Sequence, residues 1–218
     1  YSPIPHAIVG VSSTTIHHPY LISMSEETTT HKAGFVSIIG KPNVGKSTLM
    51  NQLVGERLSI ITSKAQTTRH RIMGIINGED FQVVYSDTPG IIKPVYELHK
   101  SMMNFVSASL EDADIILFVT DIYEQFDEDD VVQRIKNASA PIILLVNKVD
   151  LATEDDVKAK VEYWKEKMNP TEIFAIAALH KFNTAEVMKC LLKYLPAHPP
   201  YFDKDTLTDL PERFFASE

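Results

Sequence analysis

The chain has 218 residues, of which 44% are hydrophobic, and a formal net charge of −8 at pH 7. This length and apolar fraction are enough for one domain with a sizeable core, and the acidic balance excludes a protein that binds nucleic acid through its whole surface. The one cysteine, Cys190, excludes a disulfide framework, and no apolar run is long enough to span a bilayer.

Residues 1–33 precede the first strong strand pattern and are predicted to be a leader that is disordered in part. Residues 1–23 lack the basic start and the sustained apolar stretch of a secretory signal. Met24 opens a polar stretch, and the sequence leaves open whether it is the natural start of the protein.

Strand and helix patterns alternate along the predicted domain, residues 34–195. Short apolar runs rich in β-branched residues predict strands, and amphipathic stretches with start and stop residues predict helices. In chain order these are a strand at 35–40, a helix at 47–55, a loop at 56–70, a hairpin of 71–77 and 81–87, a helix at 97–113, a strand at 114–121, a helix at 127–139, a strand with its exit loop at 141–150, a helix at 153–168, a strand at 172–179 and a helix at 184–195. This order indicates an α/β fold, whose mostly parallel sheet has one antiparallel edge hairpin and helices on both faces. Residues 196–218 are polar and punctuated by prolines, which predicts a linker leaving the domain.

The stretch GKPNVGKST (40–48) matches the phosphate-loop pattern G-x-x-x-x-G-K-[ST], with a strand pattern before it and a helix pattern after it. Its glycines let backbone N–H groups face a polyphosphate, and the helix that begins there adds its positive end. Lys46 is expected to reach the outer phosphates, and the Ser47 hydroxyl to bind Mg²⁺. The predicted nucleotide-binding residues of this loop are Gly40, Lys41, Pro42, Asn43, Val44, Gly45, Lys46, Ser47 and Thr48. The pattern alone leaves ATPases, kinases and GTPases open.

Two further patterns follow predicted strands. Asp87, Thr88, Pro89 and Gly90 form D-T-P-G, in which the carboxylate can hold Mg²⁺ through water and the glycine N–H can meet a terminal phosphate; the alternative is a plain turn.

Asn147, Lys148 and Asp150 belong to N-K-V-D, placed where the strands of α/β sheets bind ligands. A carboxylate accepts from both the ring N–H and the exocyclic amine of guanine, whereas adenine lacks that pair of donors. This pattern therefore favours GTP over ATP and speaks against a P-loop kinase.

These three motifs, with KAQTTRHRI (64–72) and the tail LPAHPPYFDKDTLTDLPERFF (195–215), resemble the Era family of translation-factor-like P-loop GTPases. The resemblance covers the chain from about residue 34 onward and implies a doubly wound, three-layer P-loop NTPase fold. It implies Mg²⁺-dependent hydrolysis of GTP to GDP and phosphate, as a switch in 30S ribosomal-subunit assembly and 16S rRNA maturation. The alternatives are a GTP-sensing binding module with negligible turnover and another ribosome-assembly GTPase of the same class.

The resemblance also implies roles that spacing alone does not give. Thr68, chosen over Thr67 because it precedes an arginine, completes the Mg²⁺ shell with Ser47 and Asp87, and Lys46, Thr68 and Gly90 form the catalytic set. Asn43 matches an asparagine that helps to coordinate K⁺ in related GTPases. Ile91 is apolar where Ras-like proteins carry a water-orienting glutamine, so K⁺ is implied to add charge instead.

The guanine-carbonyl motif of the family, usually S-A-[KL], corresponds to Ala177, Ala178 and Leu179. Backbone N–H contacts to guanine survive the change from serine to alanine, whereas support of the Asp150 loop by a serine hydroxyl does not. Nucleotide affinity is therefore left open by Ala177.

The implied partners are 16S rRNA and the 30S subunit, reached through a C-terminal KH domain whose G-x-x-G loop does not occur after residue 195. The resemblance further implies a cytoplasmic monomer and raises peripheral association with the inner membrane. The basic cluster Lys64, Arg69, His70 and Arg71 is interpreted as a solvated switch loop near phosphates rather than as an rRNA contact.

Overall fold

A seven-stranded sheet forms the centre of the protein. The computed structural model describes residues 31–54, 58–59, 71–87, 110–124 and 129–203. The strands are β1 (Lys32–Ile39), β2 (Leu58–Ser59), β3 (Arg71–Asn77), β4 (Phe81–Asp87), β5 (Ile115–Asp121), β6 (Ile142–Asn147) and β7 (Glu172–Ala175). Their order is β2-β3-β4-β1-β5-β6-β7; β4, β1, β5, β6 and β7 run parallel, and β2-β3-β4 is an antiparallel edge. The predicted α/β fold with a mostly parallel sheet is confirmed.

Helices cover both faces of the sheet. They are α1 (Lys46–Val54), α2 (Asp129–Lys136), α3 (Glu154–Met168) and α4 (Thr184–Tyr194), with 3₁₀ helices at Val149–Leu151 and Ala178–His180. Alternation along β5 sends Leu117 into a core shared with α1 and α4, and Phe118 into a second core shared with α2 and α3. This double burial explains why the parallel strands are apolar throughout.

Trp164 and Cys190 are both buried. Trp164 packs edge to face on Phe118, with ring centroids 5.3 Å apart, in the core beneath α3. Cys190 lies in the core beneath α4, where burial raises the pKa of its thiol to about 11. A thiol held protonated in this way is a poor nucleophile at neutral pH.

Several element boundaries differ from the predictions, among them the end of α2, which lies at Lys136 rather than at residue 139. β1 begins at Lys32 rather than at residue 35, because its first residues pair with Phe81 and Gln82 of β4. The predicted loop at 56–70 contains the short strand β2, which bonds through its backbone to β3. The last predicted strand ends at Ala175, since Ala177 pairs with Phe182 and turns the chain into a 3₁₀ helix.

Residues 195–203, here called the exit segment, return to the sheet after α4. The backbone of Ala33 in β1 donates to Pro196, and the buried side chain of Gln82 in β4 holds the far end. Its Oε1 accepts from the N–H groups of Tyr201 (2.8 Å) and Phe202 (3.0 Å), and its Nε2 donates to the carbonyl of Phe202 (2.9 Å). This part of the predicted linker is therefore bonded to the sheet.

Replacing Gln82 with leucine is expected to lower the free energy of unfolding by about 2 kcal/mol, because two N–H groups and one carbonyl lose a buried partner. Urea unfolding measures this loss. Gln133→Leu, on the exposed face of α2, is the matched control, and an equal unfolding midpoint for both variants would show that the anchor is energetically irrelevant.

Among the described residues, no helix combines the length and the apolar character that a bilayer crossing requires.

Candidate nucleotide-binding site

The predicted site lies at the carboxyl ends of the parallel strands. Asp87, Asp121 and Asn147 are the last residues of β4, β5 and β6, and β1 runs into the loop at residues 40–45. In the strand register Ile38 of β1 lies beside Asp87, so the end of β4 is adjacent to the entry of that loop. The carboxyl ends of parallel strands are where open α/β sheets bind ligands.

The phosphate loop depends on two close backbone approaches. A Cβ on Gly40 would lie 2.3 Å from the carbonyl oxygen of Val119, and one on Gly45 would lie 2.3 Å from Nδ2 of Asn147. Gly45 (φ 95°) and Asn43 (φ 64°) both adopt the left-handed region, which turns the backbone toward the start of α1. The loop is thus shaped as a concave backbone surface of the kind that binds polyphosphates.

Lys46 is the first residue of α1, so its positive charge belongs to the same end of the helix as the positive end of the helix dipole. Its Nζ donates to the carbonyls of Gly40 and Lys41, at 2.8 Å each. Ser47 follows on the exposed side of the first turn. This donor set fits a polyphosphate with a bound divalent cation, because it supplies an ammonium group, a helix terminus and a hydroxyl.

Asn147 connects the phosphate loop to the predicted guanine segment, residues 177–179. It is 3% exposed; its Nδ2 donates to the carbonyl of Val44 (2.8 Å), and its Oδ1 accepts from the N–H of Ala178 (3.0 Å). One buried amide therefore fixes the distance between the two halves of the site.

Lys148 also contacts the phosphate loop. Its Nζ donates to the carbonyl of Asn43 (2.6 Å) and to Oδ2 of Asp121 (2.7 Å), and Oδ1 of Asp121 accepts from the N–H groups of Tyr123 and Glu124. The sequence reasoning missed Asp121. The available signal was its position as the last residue of an apolar strand, the same position that Asp87 and Asn147 occupy.

Asp150 lies in the 3₁₀ helix after β6, with a side chain that is 26% exposed. Its Oδ2 is 3.4 Å from Nε2 of His180, a second residue that the sequence reasoning did not connect with the site. The carboxylate is accessible and held near the segment 177–179, which is the arrangement that recognition of a guanine edge requires.

The alanine at position 177 is compatible with this arrangement. Val149 N–H donates to the carbonyl of Ile176 (3.2 Å), and Ala177 exchanges backbone hydrogen bonds with Phe182. Together with the Asn147–Ala178 bond, these contacts hold the segment without a hydroxyl at position 177. Leu179, the last residue of the segment 177–179, is exposed.

The remaining predicted site residues lie outside the described residues. They are Thr67, Thr68, Thr88, Pro89, Gly90 and Ile91, together with Lys64, Arg69 and His70 of the basic cluster. Within the described ranges, no group of three or more histidine, cysteine or acidic side chains could hold a metal ion by itself.

The chain is similar to known GTPases over most of its length. Residues 35–148 match the family described as 50S ribosome-binding GTPase. GTPase Era of Clostridium perfringens is 41% identical over 189 residues, which cover 86% of this chain and 64% of the relative. The crystal structure of Era in complex with MgGDPNP and nucleotides 1506–1542 of 16S ribosomal RNA has a TM-score of 0.66 at 42% identity, covering 83% of this chain and 63% of that chain. A variant of Aquifex aeolicus Era bound to GDP·AlF₄⁻ gives the same TM-score of 0.66 and 42% identity, covering 83% and 62%.

This chain therefore spans less than two thirds of the length of these relatives. The resemblance to Era that the sequence motifs indicate is confirmed by the identity and by the shared structure. The match over residues 35–148 contains the phosphate loop and the first two residues of N-K-V-D. The chain therefore belongs to the family of 50S ribosome-binding GTPases.

Proposed function

We propose that this chain binds GTP with Mg²⁺, hydrolyses it to GDP and phosphate, and acts as a nucleotide-dependent switch in ribosome assembly. The observation that carries the proposal is the Asn147 amide, which joins the phosphate loop to the segment beside Asp150 through bonds of 2.8 and 3.0 Å. A polyphosphate cradle and a guanine-reading carboxylate are thereby held at one edge of the sheet.

Each residue has a defined task in this proposal. Lys46 exchanges the carbonyls of Gly40 and Lys41 for phosphate oxygens, and Asp150 accepts from both donors of guanine. Ser47, Asp87 and Thr68 would hold Mg²⁺, which when bound neutralises charge on the outer phosphates. Gly90 would offer its N–H to the terminal phosphate.

The test of the activity is single-turnover hydrolysis of GTP, preceded by titration with GTP and ATP. Selective GTP binding with turnover supports the proposed enzyme, whereas selective binding with negligible turnover supports the alternative of a GTP-sensing module. Binding that does not distinguish the two nucleotides would overturn both.

We also propose that K⁺ stimulates hydrolysis about tenfold over Na⁺ at matched ionic strength, because a cation beside Asn43 would add charge near the phosphates. Stimulation is expected to be lost in Asn43→Ala. Since Asn43 has a φ of 64°, alanine also introduces backbone strain, and Asn43→Gly removes the amide without it. Retention of the K⁺ effect in Asn43→Gly, or equal wild-type rates in the two salts, would exclude this cation site.

The proposed biological partner is 16S rRNA within the 30S subunit, reached through a KH domain that would follow the linker at residues 196–218. The support is the Era structure, whose complex contains nucleotides of 16S ribosomal RNA. The family description names the 50S subunit instead, so another ribosome-assembly GTPase of the same class is the second candidate. Co-sedimentation with purified 30S and 50S subunits in the presence of a GTP analogue distinguishes the two.

The proposed organisation is a leader at residues 1–33, a GTPase domain at 34–195 and a linker thereafter, in a cytoplasmic monomer. Peripheral association with the inner membrane belongs to the same proposal. Light scattering of the purified chain and flotation with anionic vesicles test the last two statements separately.

This chain by itself is expected to bind single-stranded RNA weakly, with a dissociation constant above about 1 µM at physiological salt and no sequence preference. Its net charge is −8, and the exposed aromatic ring of the exit segment is occupied, because Tyr201 stacks on His198 (4.2 Å) and meets Phe35 edge-on (4.7 Å). Titration with a 16S rRNA 3′-end oligonucleotide, against a longer chain that carries a KH domain, measures this. Tight, selective binding by the shorter chain would place RNA recognition in the GTPase domain.

A further inference from the structure

The turn that follows β5, residues 121–124, contacts the phosphate loop from two sides. On one side Asp121 holds Lys148, whose ammonium donates to the carbonyl of Asn43. On the other side Oε1 of Glu124 lies 3.6 Å from Nζ of Lys41, the residue that follows the first glycine of the loop. The second contact has no counterpart among the predicted nucleotide-binding patterns.

Glu124 is fixed by its own surroundings. Its side chain is 8% exposed; Oε2 accepts from the Thr120 hydroxyl (2.9 Å), its N–H donates to Asp121 (2.8 Å), and its carbonyl accepts from Lys160 of α3. Burial, opposed by the Thr120 bond and the Lys41 charge, raises the pKa of its carboxyl. Oε1 has no hydrogen-bond partner within the described part of the chain, so the Lys41 ammonium is what compensates this oxygen.

Lys41 connects the carboxylate of Glu124 to Lys46, the lysine of the phosphate loop. Its backbone carbonyl is one of the two acceptors of Lys46 Nζ (2.8 Å), while its own side chain reaches back to Glu124. The ion pair therefore restrains the side chain of residue 41, whose carbonyl accepts from the lysine of the phosphate loop.

We propose that Glu124 is a positioning residue, which through Lys41 holds the phosphate loop in its nucleotide-binding conformation. The inference rests on the proposed binding of guanine nucleotides. Because the loop contacts the phosphates that GDP and GTP share, loss of the pair weakens both nucleotides by a similar factor. A buried ion pair contributes little net stability, since desolvation of the charges offsets their attraction, so the pair acts on binding rather than on folding.

The experiment compares dissociation constants for fluorescent GDP and for a GTP analogue with the urea unfolding midpoint of the nucleotide-free chain. Glu124→Gln and Lys41→Met are each expected to weaken both nucleotides about tenfold, and the double variant no further. Lys41→Arg keeps the cation and restores binding to within about threefold of wild type. Glu186→Gln, which breaks an exposed pair with Lys189 (2.7 Å) on α4, is the matched control and leaves binding unchanged.

The unfolding midpoint separates positioning from stability. Glu124→Gln is expected to keep or raise it, because an uncharged amide removes the desolvation cost of the carboxylate. The double variant gives a second reading: Lys41→Met alone leaves the Glu124 carboxylate buried without its cation and lowers the midpoint, whereas the double variant carries no such charge. Wild-type affinity in both variants, additive effects in the double variant, or an affinity loss that follows the loss of stability overturns the inference. Absence of guanine-nucleotide binding by the unmutated chain overturns the proposed function itself.

Discussion

Asp150→Asn is expected to weaken GTP binding about a hundredfold and to make xanthosine triphosphate the preferred nucleotide. The carboxylate of Asp150 is accessible near the segment 177–179 and would accept from two donors of guanine. An amide replaces one acceptor with a donor, which opposes the guanine amine and matches the carbonyl that xanthine carries at the same ring position. The loss corresponds to two charge-assisted hydrogen bonds, together worth about 3 kcal/mol.

Competition titrations with GTP, xanthosine triphosphate and ATP measure the change. Asp155→Asn is a suitable control, because Asp155 is an exposed acidic residue in the first turn of α3, five positions along the chain. A wild-type chain that binds ATP and GTP equally, or an Asp150→Asn variant with unchanged preference, would contradict the assignment of the guanine-reading residue.

Lys46→Ala is expected to abolish hydrolysis and to weaken GTP binding by about 2 to 3 kcal/mol, because it removes the charge that would contact the outer phosphates. The same change removes the two bonds to the carbonyls of Gly40 and Lys41, so the loop loses an internal tie as well. Lys41 does not substitute for it, since its ammonium is engaged with the buried carboxylate of Glu124.

Single-turnover assays at saturating GTP separate the loss of chemistry from the loss of affinity. Lys165→Ala, which removes an exposed lysine paired with Glu162 on α3, serves as the control and retains wild-type turnover. Near-normal turnover by Lys46→Ala would show that the loop at residues 40–48 does not carry the reaction.

The parts of the molecule that local patterns specify could be predicted from the sequence. The alternation of apolar strands with helices indicates the fold, and the limits of α3 follow from its ends, where Thr153 and Asp156 form a capping box and Asn169 adopts the left-handed conformation. The phosphate loop and N-K-V-D were equally readable, because each motif packs its chemistry into a few consecutive residues.

The contacts that hold the site together could not be predicted, because they join residues far apart in the chain. Asn147 meets Val44 across 103 positions, and Glu124 meets Lys41 only because β5 lies next to β1 in the sheet. In the sequence, Gln82 is an ordinary polar residue of a predicted strand, whereas in the structure its hydrogen-bond partners in the exit segment are about 120 positions away. Pairing of this kind depends on strand order, which no local pattern contains.

Gln82 and Asp87 stand near opposite ends of the same strand, β4. Five steps of extended chain separate them by about 17 Å, roughly twice the distance over which physiological salt screens a charge. A nucleotide bound at the Asp87 end would not contact the exit segment, so coupling between the two would require a displacement of β4. Thermodynamic linkage is reciprocal. A ligand of the exit segment that displaced β4 through Gln82 would alter nucleotide affinity by the same factor by which the nucleotide altered the affinity of that ligand.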